Sequence, residues 1–141
     1  MLNSFFSPKS IAIIGASGEK QKLGYTILKN VIDYKFKGKI YPINLKSKAI
    51  LGLKAFKSVK EIPGKVDLAV FVIPAPFVNS VLIECGEKGI HNAIIITAGF
   101  KEVGKQGQKM EEQLIATAKK YKINILGPNC LGLLDSTINL N

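Results

Sequence analysis

The chain has 141 residues, 47% of them apolar, with 13 glycines and 6 prolines; this allows one domain with a sizeable core and excludes a disordered chain. Its formal charge is +10 and all 20 basic residues are lysines, scattered from Lys9 to Lys122, which argues against a nucleic-acid reader and leaves solvated surface plus an anionic small ligand or an acidic partner. Two cysteines, Cys85 and Cys130, show no disulfide or metal-ligand spacing, so a reducing, cytoplasmic setting is expected, and no apolar run reaches a signal peptide or a membrane span.

Ile11–Ile14 reads as a first strand, and Gly15, Ala16, Ser17 and Gly18 turn it into a helix from Leu23 to about Tyr34, whose apolar residues recur every three or four positions. Lys39–Leu45 (KIYPINL) is a second strand, placed at an edge or ending irregularly because Pro42 cannot donate a ladder hydrogen bond. Lys46 to Gly64 is the least regular stretch, with one short helical turn expected over 58–62. Val66–Ile73 is a third strand, apolar almost throughout and so covered on both faces. Pro74-Ala75-Pro76 leads into a helix with Val78, Val81, Leu82 and Cys85 on its inner face and Gly86 and Gly89 near its end. Ala93–Ile96 is the fourth strand. A polar loop over Lys101–Gly107 then precedes a helix from Gln108 to Tyr121 with Met110, Leu114, Ala118 and Tyr121 inward. Ile123–Leu126 is the fifth strand, ended by Gly127-Pro128-Asn129-Cys130.

This alternation predicts a single α/β domain, a Rossmann-like doubly wound and mostly parallel five-stranded sheet with right-handed crossovers. Ligands of such sheets sit beyond the carboxyl ends of the strands. Here those ends are Gly15–Gly18, Asn44–Lys46, Ile73–Pro76, Thr97–Phe100 and Gly127–Cys130. The glycine turn departs from G-x-G-x-x-G, but backbone N–H groups at a helix start suit a phosphate. An NAD site would place an acid after the second strand; this chain offers Asn44, Lys46 and Lys48, so the expected ligand carries an additional ribose phosphate, as coenzyme A or NADP does. The residues alone do not choose between these two, and Lys46 is also readable as an ordinary surface lysine.

Other candidates carry plainer readings. Lys22 belongs with the glycine turn, which is also readable as a solvated turn in which Gly18 serves for its φ. Cys130 has no histidine after it to activate it and reads as a packed thiol beside the ligand. His91, the only histidine, falls at the start of the fourth strand, on the opposite rim. Glu102 is the acid expected in the mouth loops, readable either as positioning a partner group or as an exposed residue. Neither a catalytic set nor a metal cluster is assigned.

The stretches SIAIIGAS with Lys22 and Gly24, GKIYPINLK, ILGLKAFKSVKEIP, VDLAVFVIPA, ECGEKGIHNAIIITAGFKEVG and ILGPNCLGLLDSTINLN run over nearly the whole chain. In that order they resemble the amino-terminal coenzyme-A-binding domain of the NDP-forming acyl-CoA synthetases. That family is related to the succinyl-CoA synthetase α subunit and includes the ADP-forming acetate–CoA ligases. The resemblance implies that Gly15, Ala16, Ser17 and Gly18 lie against the coenzyme's phosphates and Lys46 near its adenosine end. Ile73, Pro74 and Ala75 would touch the adenosine or diphosphate, and Thr97, Ala98, Gly99 and Phe100 the pantetheine arm. Asn129 and Cys130 would lie where the thiol meets an acyl phosphate. Leu45 stands where the family's Asn-Pro-Lys has proline, which loosens the expected loop shape but keeps Lys46.

The implied parent reaction converts acyl-CoA, ADP and phosphate to acid, coenzyme A and ATP, with Mg2+, an acyl phosphate and a phosphohistidine. Its histidine and its ATP-grasp module would lie outside residues 1–141, making this chain one domain of a longer protein. A coenzyme-A-binding regulatory module, as at the front of large protein acetyltransferases, and an NADP-dependent reductase domain are the alternatives. Neither nucleic acid nor membrane is an expected partner.

Overall fold

The computed structural model describes residues 3–141. A short helix α1 (Asn3–Phe6) leads into β1 (Ser10–Ile14), α2 (Leu23–Asp33) and β2 (Lys39–Ile43). A hairpin of β3 (Ala49–Ile50) and β4 (Leu53–Lys54) and a 3-10 turn at Val59–Glu61 precede β5 (Leu68–Phe71) and α3 (Ala75–Lys88). Then come β6 (Asn92–Ile95), a second 3-10 turn at Lys101–Val103, α4 (Lys105–Tyr121) and β7 (Asn124–Leu126). The main sheet has five parallel strands in the order β2-β1-β5-β6-β7. The doubly wound sheet expected from the sequence is therefore present. Among the described residues, no helix is long and apolar enough to cross a membrane.

Alternation along each strand divides the core in two. Ala12, Ile14, Ala69, Phe71, Ala93 and Ile95 face a cluster completed by Val78, Leu82 and Cys85 of α3 and Leu114 of α4. Ile11, Ile13, Leu68, Val70 and Ile94 face the other cluster, with Leu28 and Val31 of α2, Phe5, Phe36 and Leu140. Both faces of the central strands are thus dry, which is why these segments read as continuous apolar runs rather than as alternating ones.

Pro42 lies, as its chemistry requires, in the edge strand β2, paired on one side with Ile13. On its other side the Phe56 N–H donates to the Pro42 carbonyl at 3.0 Å, and the Asn44 N–H to the Phe56 carbonyl at 2.9 Å. The edge is thereby covered and the end of β2 anchored.

Three sequence expectations need correction. The stretch after Lys46 holds the β3–β4 hairpin, closed by Leu51 and Gly52 with φ of 48° and 79°. Two left-handed residues make a tight hairpin turn, but leucine in that conformation gives no sequence signal. The polar loop expected over Lys101–Gly107 is shorter, because α4 begins at Lys105. Gly107 lies inside its first turn, where a Cβ would come within 1.8 Å of the Phe100 carbonyl oxygen; glycine serves close packing here, not helix breaking. Finally, β2 and β5 are shorter than the apolar runs that announced them, with Asn44–Leu45 and Val66 outside the strands.

The amino-terminal rim is held by a polar network. Asp67 Oδ2 accepts from the Lys9 N–H at 2.9 Å and from the Ser10 hydroxyl at 3.2 Å, and Asp67 Oδ1 lies 3.2 Å from Lys65 Nζ. Asn92 Nδ2 donates to the Asp67 carbonyl and Asn124 Nδ2 to Asn92 Oδ1. Partial burial acts to raise the Asp67 carboxyl, but the bonds from Lys9, Lys65 and Ser10 together hold it below its ordinary value. His91 is exposed on this same rim, its carbonyl taking the Asn124 N–H, which keeps it away from the carboxyl ends of the strands as expected.

Candidate functional site

The turn after β1 is built by close approaches. Gly15 has φ +93°, and a Cβ there would meet the Val72 carbonyl oxygen at 2.6 Å. A Cβ on Gly24, in the first turn of α2, would meet the Gly15 carbonyl oxygen at 1.9 Å, so the helix start is pressed onto the turn. Gly18 differs. Its φ is outside the left-handed region and nothing lies within 4 Å of the Cβ position. The plainer alternative, in which Gly18 serves for its φ, does not hold: the fold itself has room for a side chain there.

Among the described residues, no protein acceptor meets the N–H of Ser17 or Gly18. The start of α2 has no side-chain cap and no acid in its first turn, so its positive dipole end is left for an outside acceptor. Ser17 is buried and its Oγ takes the Glu19 N–H at 3.0 Å, which shapes the turn.

Asn44 joins this turn to the end of β2. Its Nδ2 donates to the Ala16 carbonyl at 2.9 Å, and its Oδ1 accepts from the N–H groups of Lys46 and Ser47, both at 2.8 Å. The exposed Lys46 side chain is therefore carried on a loop that is fixed to the glycine turn.

These loops bound a cleft of about 810 Å³, within the size range of small-molecule sites. Of the residues singled out from sequence, Gly15, Ser17, Gly18, Lys22, Asn44, Lys46, Ile73 and Pro74 line it. Ala16 and Ala75 are buried beneath the lining. Lys22 already pairs with Glu19, Nζ to Oε1 at 2.6 Å, so its charge is shared with an acid that also lines the cleft. Glu102 is thus not the acid at this mouth; Glu19 and Glu84 are.

Thr97, Ala98, Gly99, Phe100, Asn129 and Cys130 form a separate ridge beside the cleft. Thr97 Oγ1 donates to the Ile73 carbonyl at 2.7 Å, and the Asn129 N–H to the Thr97 carbonyl at 3.0 Å. The Phe100 ring is buried, only 1% exposed, so its loop presents backbone rather than an aromatic face. Cys130 is half-buried with its thiol 3.4 Å from the Ile95 carbonyl, the packed position expected of it. Glu102 accepts the Gly99 N–H at 2.5 Å, and this bond first of all holds its carboxyl below the ordinary range. Cys85 is buried, and burial with the nearby Glu84 charge pushes its thiol up to about 12; it is no nucleophile.

Sequence reasoning missed the opposite wall. Phe77, Ser80 and Glu84 of α3 face the cleft, as do Lys57, Ser58 and Val59; Val81, expected on the inner face, packs partly against the core and also lines the cleft. The α3 residues follow the i, i+3, i+4, i+7 spacing of a second helix face. That periodicity was available, but its mixed polarity hid it behind the apolar inner stripe.

Comparison with known proteins follows the same site. Residues 9–135 match a family model described as a CoA binding domain. The chain is 52% identical, over its whole length, to the acetate–CoA ligase (ADP-forming) II subunit alpha of Pyrococcus furiosus, of which it covers 31%. It is 50% identical over 96% of its length to a 4-hydroxybutyrate–CoA ligase (ADP-forming) of Nitrosopumilus maritimus, covering 20% of it. A solved structure of dinucleotide forming acetyl-coenzyme A synthetase 1 from Ca. Korarchaeum cryptofilum, in complex with phosphate and ADP, superimposes with a TM-score of 0.96. It is 42% identical, with all of this chain and 30% of that one covered. The chain thus spans about a third or less of the length of these relatives.

Proposed function

The chain belongs to the CoA binding domain family, and on that premise we propose that it supplies the coenzyme A site of an ADP-forming acid–CoA ligase. One observation carries the reading: Gly18 has no internal need to be glycine, yet stands with free N–H groups beside an uncapped helix start. A glycine with open space before it lets a phosphate approach the backbone. The diphosphate of coenzyme A would sit there, with Ser17 and Gly18 donating and Lys22 balancing charge. Lys46, held by Asn44, would face the ribose phosphate that distinguishes coenzyme A from its dephospho form.

The pantetheine arm would leave the cleft past Ile73 and cross the Thr97–Phe100 loop toward Asn129 and Cys130. Chemistry at its thiol would belong to further domains of a parent protein, which would bring Mg2+, ADP or ATP and the phosphorylated histidine. The acid substrate would be chosen there as well. Acetate and 4-hydroxybutyrate ligases resemble this chain at 52% and 50% identity, which supports a domain common to ligases of different acids.

Titration calorimetry of the chain with coenzyme A, dephospho-coenzyme A and NADP tests the reading. Coenzyme A is expected to bind most tightly; tighter binding of NADP overturns the proposal. Lys46→Ala is expected to weaken coenzyme A by about tenfold, the scale of one charge-assisted contact, and dephospho-coenzyme A much less. Equal losses would show that Lys46 does not read the extra phosphate.

A further inference from the structure

Asn44 is half-buried just past the end of β2, and its side-chain amide bonds to backbone on both sides. Nδ2 donates to the Ala16 carbonyl at 2.9 Å, and Oδ1 accepts from the Lys46 and Ser47 N–H groups, both at 2.8 Å. An amide can make about four such bonds, so the protein itself takes most of what this side chain offers. Its orientation is fixed by its neighbours. Turned over, it would set an oxygen against the Ala16 carbonyl and a donor against the two N–H groups. The residue is anchored as well, since its own N–H donates to the Phe56 carbonyl at 2.9 Å.

The two ends of the amide reach different parts of the cleft. In a trans peptide the C=O and N–H point in opposite directions. Holding the Ala16 carbonyl therefore fixes the direction of the Ser17 N–H, which meets no protein acceptor among the described residues. The Gly15 N–H, donated to the Ile43 carbonyl at 3.1 Å, ties the same turn to β2. At the other end Oδ1 holds the Lys46 backbone, and packing does not. Leu45 is 78% exposed and lacks the ring by which a proline would restrict the chain.

We propose that Asn44 is a positioning residue that acts as a spacer between two anion subsites, the Ser17–Gly18 N–H groups and the Lys46 ammonium. It holds them at one separation without touching the ligand, so a molecule whose two phosphate groups stand at that separation is preferred to one that carries a single group. The gain comes from loops that need no ordering when the ligand arrives.

This inference rests on the coenzyme A reading and fails separately from it. The test is calorimetry of the unaltered chain, Asn44→Ala and Asn44→Ser with coenzyme A and dephospho-coenzyme A, with melting temperatures measured alongside. Affinity for dephospho-coenzyme A reports the Ser17–Gly18 end, and the preference for coenzyme A over it reports the Lys46 end. A serine hydroxyl can accept the N–H further along its own turn but is too short to reach Ala16. Asn44→Ala is expected to weaken dephospho-coenzyme A by about five- to tenfold and to shrink the preference from about tenfold to about threefold or less. Asn44→Ser is expected to lose as much affinity for dephospho-coenzyme A while keeping most of the preference. A purely structural role would lower both melting temperatures and leave the preference unchanged in Asn44→Ala. That outcome, unchanged affinities in Asn44→Ala, or an equal loss of preference in both variants overturns the spacer while the coenzyme A reading stands. If the unaltered chain does not bind coenzyme A, the functional reading fails and the spacer with it.

Discussion

The loops after β1, β2 and β5 line a cleft, whereas those after β6 and β7 are tied to the sheet and to one another. In the first group Asn44 fixes the loop geometry, while the N–H groups of Ser17 and Gly18 meet no protein acceptor among the described residues. In the second, Thr97 bonds to Ile73, Asn129 to Thr97, Cys130 to Ile95 and Glu102 to Gly99. Both groups carry bare apolar side chains: Leu45 of the first is 78% exposed, and in the second Leu131 is fully exposed and Leu134 and Val103 are 65% and 64% exposed. A binding site wants free, oriented donors, and the first group has them. The second group is tied by these bonds yet leaves three large apolar side chains bare, as a surface awaiting a protein neighbour does. With relatives about three or more times as long, we propose that the first group binds unaided and the second is completed by the rest of the parent protein.

The two glycines around α2 break or sharpen this comparison most strongly. Gly24→Ala forces a Cβ to 1.9 Å from a backbone oxygen and is expected to lower stability by about 3 kcal/mol, a drop in melting temperature on the order of ten degrees. Gly18→Ala meets nothing in the protein and is expected to leave the melting temperature within about two degrees, while coenzyme A affinity falls about tenfold or more. On the proposed reading one glycine serves the fold and the other the ligand. If Gly18→Ala melts early, or binds coenzyme A normally, the cleft loops are not poised for an outside acceptor.

Acid titration supplies a control at the opposite rim. The folded-state Asp67 carboxyl lies below its ordinary value of 3.8, so its stabilisation is complete above that value and lost as pH falls through the lower, folded one. Asp67→Asn should cost about 1–2 kcal/mol at neutral pH, and the gap between the two proteins should close as the medium is acidified below roughly pH 4. Thermal melts from neutral pH downward measure it; a gap of constant size would show that the charge of Asp67 is not what ties β1 to β5. Coenzyme A affinity at neutral pH should be nearly unaffected, because the network touches neither group of loops.

What could be read from the sequence tracks how local each cause is. The parallel sheet and the glycine turn follow from apolar runs and turn residues within about thirty positions of one another, and Pro42 left β2 either an edge place or an irregular end, of which the structure shows the edge. The β3–β4 hairpin did not follow, because Leu51 takes a left-handed conformation that its side chain gives no reason to expect. Gly107 misled for the opposite reason: it looks like a breaker, but its need for glycine comes from Phe100 packed across it. At the site, Lys46 and Asn44 were legible from their position after a strand. Glu84 was not, since its place in the cleft wall is shared with Ser58, which lies 26 residues earlier and reaches it only in the folded chain.

Asn129 makes the finest test of the division between the two groups of loops. Its side chain is exposed, its φ is 54°, and its backbone is tied to Thr97. In a chain that binds through the first group, Asn129→Ala removes a side chain that the diphosphate and base never reach. Coenzyme A affinity of this chain is therefore expected to stay within about twofold, the range of an ordinary surface change. The same substitution in the full-length parent is expected to lower turnover, because the thiol end of the coenzyme would there meet the ridge and the domain packed on it. A large loss of affinity in this chain alone would mean that the ridge already grips the pantetheine arm, and that the two groups of loops form one continuous site without help from a neighbour.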